Sequence, residues 1–339
     1  MKQALLITGV FVATVIGAGF ASGSEVVHYF IAYHNTCFWG ILVSSLLFGV
    51  FAELLLSLEG ASFEACMQQL MPAPFAKLTD LFSFFFMGIV FLTMLSGSGE
   101  IIAQTIGADR HIGIFFVCII CLIIFFFDLK GFLAANSILA IFIIVGMVGV
   151  CVFLLASGSL PASQTNSSRW LLASGNYVSY NLLTAAAVLV SLGNTQKPPR
   201  FLCGILSSIT FFVILNLLRI VLMRSPDSVL ASELPMLTLC KLQNPLLALF
   251  YAAVLFAAML TTALSNGFTV VGRIPLPQKL SVCLLISVGY FGAGMNFSFL
   301  VNRIYRLAGD CGIVLFLLIL IFYLKKYLKM QNSKKTNDI

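Results

Sequence analysis

The 339-residue sequence predicts an all-α polytopic membrane protein of about ten transmembrane helices, and three observations carry that fold class. Hydrophobic residues make up 60% of the chain and charged residues only 9%. Soluble domains carry roughly 25% charged residues, so this chain cannot cover a water-facing surface. Mean hydropathy is +1.06, and the apolar residues run continuously instead of alternating, which excludes a β-barrel. The runs approach the roughly 20 residues that cross a bilayer as a helix. A soluble enzyme, a nucleic-acid-binding domain, a secreted disulfide scaffold and a disordered regulator are all excluded.

The predicted spans follow in order: Leu5 to Tyr33, Phe38 to Leu58, Leu81 to Ile106, Ile112 to Phe127, Gly131 to Ala156, Trp170 to Leu192, Phe201 to Met223, Pro245 to Val271, Leu280 to Met295, and Ile313 to Leu328. The semi-polar stretch from Asn296 to Gly312 is expected to hold an interfacial turn or the start of the tenth helix. The first span begins like a signal peptide, but the apolar pattern continues past Glu25 with glycines inside it, so cleavage is not expected.

An even number of spans puts both termini on one side. Lys325, Lys326, Lys329, Lys334 and Lys335 lie at and beyond the end of the last run, and such a basic tail marks the cytoplasmic leaflet. Lys2, Lys77, Lys130, Lys197, Arg200, Arg273 and Lys279 then fall inside. Arg110, Arg169, Arg224, Lys241, Arg303 and Arg306 fall outside, with Arg219 near the outer end of the seventh span. The loops tie, so the tail decides. The net charge of +7 is thus a membrane-surface feature and not a nucleic-acid footprint. The nine cysteines are scattered. Cys118 and Cys121 lack the second pair or histidine that a metal site needs and read as buried small apolar residues.

The first span contains Gly17-Ala18-Gly19-Phe20-Ala21-Ser22-Gly23-Ser24-Glu25. Each glycine costs about 1 kcal/mol relative to alanine in a helix, and backbone that leaves the helix in a bilayer needs protein, water or a ligand to satisfy it. A break here would aim amides at an anion such as a carboxylate and leave carbonyls for a cation. A small-residue packing face would produce a similar pattern. Glu25 is costly at a helix centre, about 2.5–3.5 kcal/mol, and so is expected to face a cavity or partner. It is open to roles as proton carrier, cation ligand or partner of a substrate ammonium, or to simple solvation at the outer interface. His28, one turn away, could pair with it.

The sixth span holds Ser174-Gly175-Asn176-Tyr177-Val178-Ser179-Tyr180-Asn181, followed by Thr184, and is a second candidate break. Interrupted helices at corresponding positions of two halves point to a transporter site built from inverted repeats. The halves are residues 5–157 and 168–328, with 329–339 as the basic tail. Tyr177 and Tyr180 read equally as interface anchors. In the eighth span Thr261, Thr262 and Ser265 offer hydroxyl oxygens to a hard monovalent cation or act as packing glue. Glu53 and Glu100 join Glu25 in a candidate proton path, or pair with Arg219 or another helix. Asp128 and Asp310 read as interfacial caps. No metal cluster, serine nucleophile with a base, or phosphate-binding loop is present, so neither an enzyme nor an ATP-driven pump is expected, and no cofactor.

The segment Gly17 to Glu25 resembles the first-helix signature of the YkvI-like bacterial membrane proteins of the amino acid–polyamine–organocation superfamily. Tyr177 to Asn181 resembles that family's sixth helix, and Thr261-Thr262 its eighth. The resemblance covers essentially the whole membrane region. The chain departs from the pattern at Ser24, where glutamine is expected, and at Glu100, where a smaller residue is. The resemblance implies a LeuT-type fold, five plus five helices in an inverted repeat with helices 1 and 6 broken, in a bacterial cytoplasmic (inner) membrane. It implies a substrate site formed by Gly17, Ala18, Gly19, Phe20, Ala21, Ser22, Glu25, Tyr177, Tyr180 and Asn181, with a substrate carboxylate at the amides of Gly19 to Ser22. It also implies a sodium site formed by carbonyls of Ala13, Ile16 and Ala258 and the hydroxyls of Thr261 and Thr262. Related sodium-independent members place a fifth-helix lysine there. Here the fifth span has only Lys130, at its start, so that substitution is not expected, which favours sodium.

The expected function is secondary active transport of an amino acid or small amine, coupled to sodium or protons by alternating access. The alternative is a membrane-embedded receptor or sensor that keeps the transporter fold without net transport. The expected partners are a small-molecule substrate and membrane lipid.

Overall fold

The computed structural model describes residues 1–60, 63–126, 129–155 and 169–337. Asp128 and the junction between the two halves lie outside the described residues, as do the side chains of Ala18, Lys130 and the tail lysines from Lys326 onward.

The described chain is all-helical. In order it forms α1 (Lys2–Val15), α2 (Ala18–Ser22), α3 (Ser24–Tyr29), a 3-10 turn (Ile31–Thr36), α4 (Cys37–Ser57), α5 (Phe63–Leu70), α6 (Ala73–Ile106), α7 (Arg110–Phe126) and α8 (Leu129–Leu155). There follow α9 (Trp170–Gln196), α10 (Arg200–Met223), α11 (Asp227–Leu230), α12 (Pro235–Gln243), α13 (Pro245–Arg273), α14 (Gln278–Gly292), α15 (Phe297–Phe299), a π-helical turn (Leu300–Ile304) and α16 (Tyr305–Asn337). Among the described residues, five helices are long and apolar enough to cross a membrane: Ile31–Ser57, Ala73–Ile106, Arg200–Met223, Pro245–Arg273 and Phe297–Lys325. Shorter apolar stretches among the described residues are Lys2–Val15, Arg110–Phe126, Gln278–Gly292 and, within α8, Ile141–Leu155.

Local chemistry sets several ends. Pro245 opens α13 where its missing N–H costs nothing, and the Asn244 side chain caps the turn by accepting from Leu246 N at 2.8 Å. α6 starts at Ala73, earlier than the Leu81 read from hydropathy, because Pro72 and Pro74 suit a helix start. The Asn296 to Gly312 stretch holds α15, the π turn and the beginning of α16, so the tenth helix starts at Tyr305 and not at Ile313.

Large apolar side chains such as Phe115, Phe116, Leu246 and Leu249 are exposed on the outside, as a lipid-facing surface requires. Ser22, Ser24, Glu25, Asn176, Ser179 and Asn181 are buried within. α4 packs against both α9 and α10, α1 against the same two helices, and α6 against α13. Arg273 ties α13 to α5 and α6 through Glu64 and Asp80.

One expectation is corrected. α9 is a continuous helix and carries no break in the segment Ser174 to Asn181. Several of its polar side chains find partners without unwinding it. Ser174 Oγ donates to Trp170 O (2.9 Å) and Asn181 Nδ2 to Tyr177 O (2.9 Å), both one turn back. Asn176 and Ser179 turn to α16 instead, at Asp310 Oδ1 (2.9 Å) and Gly309 O (2.8 Å). The small residues of α9 are a helix-packing face.

Candidate functional site

The first span is interrupted twice. α1 ends at Val15. Ile16 then takes φ −71°, ψ 78° and Gly17 an extended φ −93°, ψ −168°. The Gly17 N–H turns back to Val15 O at 2.7 Å, which draws it away from the Ala13 carbonyl that a continuous helix would use. The second interruption is Gly23, at φ 81°, a left-handed conformation that favours glycine. α2 between them is a single five-residue turn. The extended second half-helix expected to follow the break is therefore itself divided into α2 and α3.

Neighbouring groups hold this irregular backbone. Tyr251 Oη on α13 donates to Ala21 O at 2.5 Å. Ser22 Oγ lies 3.1 Å from Gly19 O and 3.1 Å from Ser24 Oγ, and accepts from Ser24 N at 3.3 Å. Phe20, Ala21 and Ser22 are fully buried.

Glu25 lies on α3, 3% exposed. Its carboxyl is folded over Gly19, where a β-carbon would collide with it. Tyr180 and Asn181 of α9 are among the polar side chains close to it. They stand close without aligned bonds: Glu25 Oε2 and the Tyr180 hydroxyl are both buried without a hydrogen-bond partner, as are the hydroxyls of Tyr29, Tyr177 and Tyr305. The four rings form one cluster, with centroid separations of 5.7 Å (Tyr29 and Tyr177), 5.5 Å (Tyr29 and Tyr180), 5.9 Å (Tyr177 and Tyr180) and 5.1 Å (Tyr180 and Tyr305). Such orphaned groups cost about 1–3 kcal/mol each. Tyr177 and Tyr180 are therefore core residues of the centre and not interface anchors. A narrow cleft lined by His28, Tyr29, Tyr33, Arg169, Asn176 and Arg306 adjoins the cluster. His28 stacks edge-on against Tyr29 at 4.9 Å and lines this cleft.

The threonines of α13 lie beside the first interruption. A β-carbon on Gly17 would sit 3.6 Å from Thr262 Oγ1. Thr261 Oγ1 donates to Ala258 O at 3.1 Å, leaving its lone pairs free and occupying that carbonyl. Thr261 and Ile16 are buried, while Thr262 and Ala13 are half-buried. Among the described residues no cluster of three or more His, Cys, Asp or Glu is arranged to hold a metal ion.

The other acids do not gather at the centre. Glu53 is exposed on α4. Glu100 is half-buried and accepts from Gln104 Nε2 at 3.0 Å. Arg219 pairs with neither: its Nε donates to Asn216 Oδ1 at 3.0 Å and its guanidinium lies over Phe38. Asp310 is the acceptor for Asn176 described above. The structure adds Tyr29 and Tyr305 to the site. Tyr29 stands one turn after Glu25, a spacing that places both on one helix face. Tyr305 lies outside the runs that hydropathy marks and offers no local signal.

An apolar exterior around a buried polar centre defines a multi-pass helical membrane protein. The chain is 26% identical over 314 residues to the uncharacterized membrane protein YkvI of Bacillus subtilis (strain 168), covering 88% of this chain and 90% of that protein. It is 25% identical over 342 residues to the uncharacterized protein YyaD of the same organism, covering 95% and 96%. The homology is distant and spans most of the chain. No family model matches it.

Proposed function

We propose that the protein is a secondary active transporter of an amino acid or small amine, coupled to sodium or protons by alternating access. The observation that carries this reading is the doubly interrupted first span with the buried Glu25 beside it. Irregular backbone and a carboxylate inside an apolar bundle are costly unless they serve a bound molecule or ion. Thr262, beside Gly17, and the neighbouring Thr261 supply the oxygens for a coupling cation in this reading, with the Ala13 and Ile16 carbonyls as its further ligands.

The helix neighbours support a LeuT-type arrangement of ten spans in two inverted halves. Under such a repeat the second span corresponds to the seventh and the first to the sixth. The packing of α4 on α9 then has its counterpart in α10 on α1, and both contacts are present. The contacts of α6 with α13 and of α4 with α10 map onto themselves. The site departs from the symmetric pattern in that α9 is unbroken, so the substrate would meet side chains of α9 and backbone only from the first span. The basic tail orients both termini to the cytoplasm of a bacterial cell.

The test is flux. Purified protein in proteoliposomes is expected to accumulate a labelled amino acid or amine above equilibrium when a sodium or proton gradient is imposed, and not without one. Ligand binding with no net accumulation under either gradient would overturn the transporter reading in favour of a receptor or sensor on the same fold.

A further inference from the structure

We infer that the groove between α8 and α13 holds an anionic phospholipid, with one acyl chain along the groove and the phosphate at Arg224. This site lies on the outside of the bundle and is separate from the centre around Glu25.

In a bilayer every outward apolar surface is wetted by lipid, and lipid tails are as apolar as the side chains they touch. Apolarity alone therefore selects nothing, and a held lipid needs both a shape and a charge. The shape is a groove of about 600 Å³, lined by Val145, Gly146, Gly149 and Val150 of α8 and by Leu247 and Phe250 of α13. Two glycines keep its floor low. Packing dictates Gly146, because a β-carbon there would lie 2.6 Å from Val254 Cγ2. Packing does not dictate Gly149: among the described residues a β-carbon there meets nothing within 4 Å, and glycine is otherwise a poor choice inside a helix. Phe142, Phe153 and Phe250 also line the groove and are exposed. A second copy of the chain would bring up a helix about 10–12 Å across, which meets these rings before the floor. A single acyl chain is far thinner and can lie between them.

Length and charge fit the same occupant. From Ile141 to Phe153, the ends of the lining on α8, the helix rises about 18 Å, close to half of the roughly 30 Å hydrocarbon core and so to the depth of one leaflet. The Ile141 end is apolar. Beyond the Phe153 end, Arg224 Nη1 donates to the carbonyl of Leu155, the last residue of α8, at 3.4 Å. Arg224 is exposed, and both ion pairs among the described residues belong to Arg273 instead. A guanidinium presents five donors in a fork that matches a phosphate. The groove thus has the polarity of a lipid, with charge at one end and hydrocarbon along the rest.

The experiment is native mass spectrometry of the full-length protein in detergent. The probe is dioleoyl phosphatidylglycerol, compared with dioleoyl phosphatidylcholine, which carries the same chains under a zwitterionic headgroup. Phosphatidylglycerol is expected to be retained in preference and to raise the apparent melting temperature by mass action on the native state. Arg224→Gln should weaken its binding by about fivefold, the size of one basic residue at an anionic lipid surface, and narrow the preference between headgroups. Gly149→Leu should abolish retention while melting like the wild type without added lipid, since its side chain enters open space. Should that variant fail to fold, Val145→Phe, at an exposed position in the same lining, blocks the groove in its place. A phosphatidylglycerol with a photoreactive group in its acyl chain should crosslink to α8 or α13. Equal retention of the two lipids, no retention of either, or retention that survives the blocking substitution would overturn the inference. So would a dimer that Gly149→Leu dissociates, because a second copy would then cover this face.

Discussion

The carboxyl group of Glu25 occupies the space that a side chain on Gly19 would need: a β-carbon there would overlap Oε1, Cδ and Cγ of the glutamate. Gly17 stands differently, with ordinary contact to Thr262 and no positive φ. The two glycines therefore make opposite expectations. Gly19→Ala should either strain the core by about 1–3 kcal/mol or drive Glu25 out of the tyrosine cluster. Either way uptake or ligand binding is lost, as is also expected for Glu25→Gln. Gly17→Ala should leave the fold intact. Parallel measurement of apparent melting temperature and of uptake in the two variants checks this, and equal behaviour would contradict the placement of Glu25.

Gly23 is held by two independent constraints. Its φ of 81° costs an ordinary residue roughly 1–2 kcal/mol, and a β-carbon would stand 2.9 Å from Leu222 and 3.0 Å from Met236. Gly23→Ala is expected to lower the melting temperature of the ligand-free protein, because neither constraint depends on a ligand. A variant that melts with the wild type would mean that α2 and α3 are joined in some other way.

The ion assignment predicts a separate phenotype. Thr262→Ala removes an oxygen beside the Ile16-Gly17 interruption while keeping the helix. Sodium dependence of uptake, and of thermal stability, should weaken by at least about tenfold, the size of one contact to a charged group. Substrate binding at saturating sodium should persist. Unchanged cation dependence would remove Thr262 from the ion site.

Much of this was legible in the sequence, and the reasons for the rest are physical. The interruption at Gly17 and Gly23 shows in the run itself, because glycines and serines next to a carboxylate have no cheap use in a lipid-facing helix. The matching polar run of α9 looked the same and is not a break. What separates the two is the partner: Asn176 and Ser179 find acceptors on α16, more than a hundred residues away, and no local pattern encodes that. Tyr305 was invisible for the same reason, since its value lies in a contact with Tyr180. Glu53 and Glu100 were marked correctly as charges in apolar runs, but hydropathy does not say which face of a helix looks inward. The short α5, α11 and α12 were missed because they do not span.

The Arg273 junction carries a pH dependence. Arg273 Nε lies 3.2 Å from Glu64 Oε1, and Nη1 lies 2.9 Å from Asp80 Oδ1. The Glu64 carboxyl titrates above its ordinary value, because a hydrogen bond to Asp80 favours its proton and partial burial adds to this, against the pull of Arg273. An acid with a raised folded pKa costs nothing while protonated in both states, and stability falls as pH rises from about 4.3 through the folded value. Glu64→Gln removes that slope. The difference in melting temperature, variant minus wild type, should therefore grow between about pH 4 and pH 7, with the ion pair itself, partly exposed, adding little. A difference that stays flat or shrinks would contradict the raised pKa.

The interface of α9 with α16 gives the last expectation. A β-carbon on Gly309 would lie 2.9 Å from both the Asn176 β-carbon and its carbonyl oxygen, and one on Gly312 would lie 3.0 Å from the Ser179 β-carbon. The two backbones meet directly, as small residues allow in a bilayer, and the same interface sets Tyr180 and Tyr305 5.1 Å apart. Gly309→Ala must push the helices apart, because backbone atoms cannot move aside as a side chain would. It should break the bond from Ser179 Oγ to Gly309 O, cost about 1–3 kcal/mol, and open the tyrosine cluster, so that melting temperature and substrate binding fall together. Gly88→Ala, in α6 with nothing within 4 Å of the added carbon, serves as the control and should gain slightly from helix propensity. If Gly309→Ala matches that control in both readouts, α9 and α16 do not meet at this point, and the ring cluster they hold together loses its support.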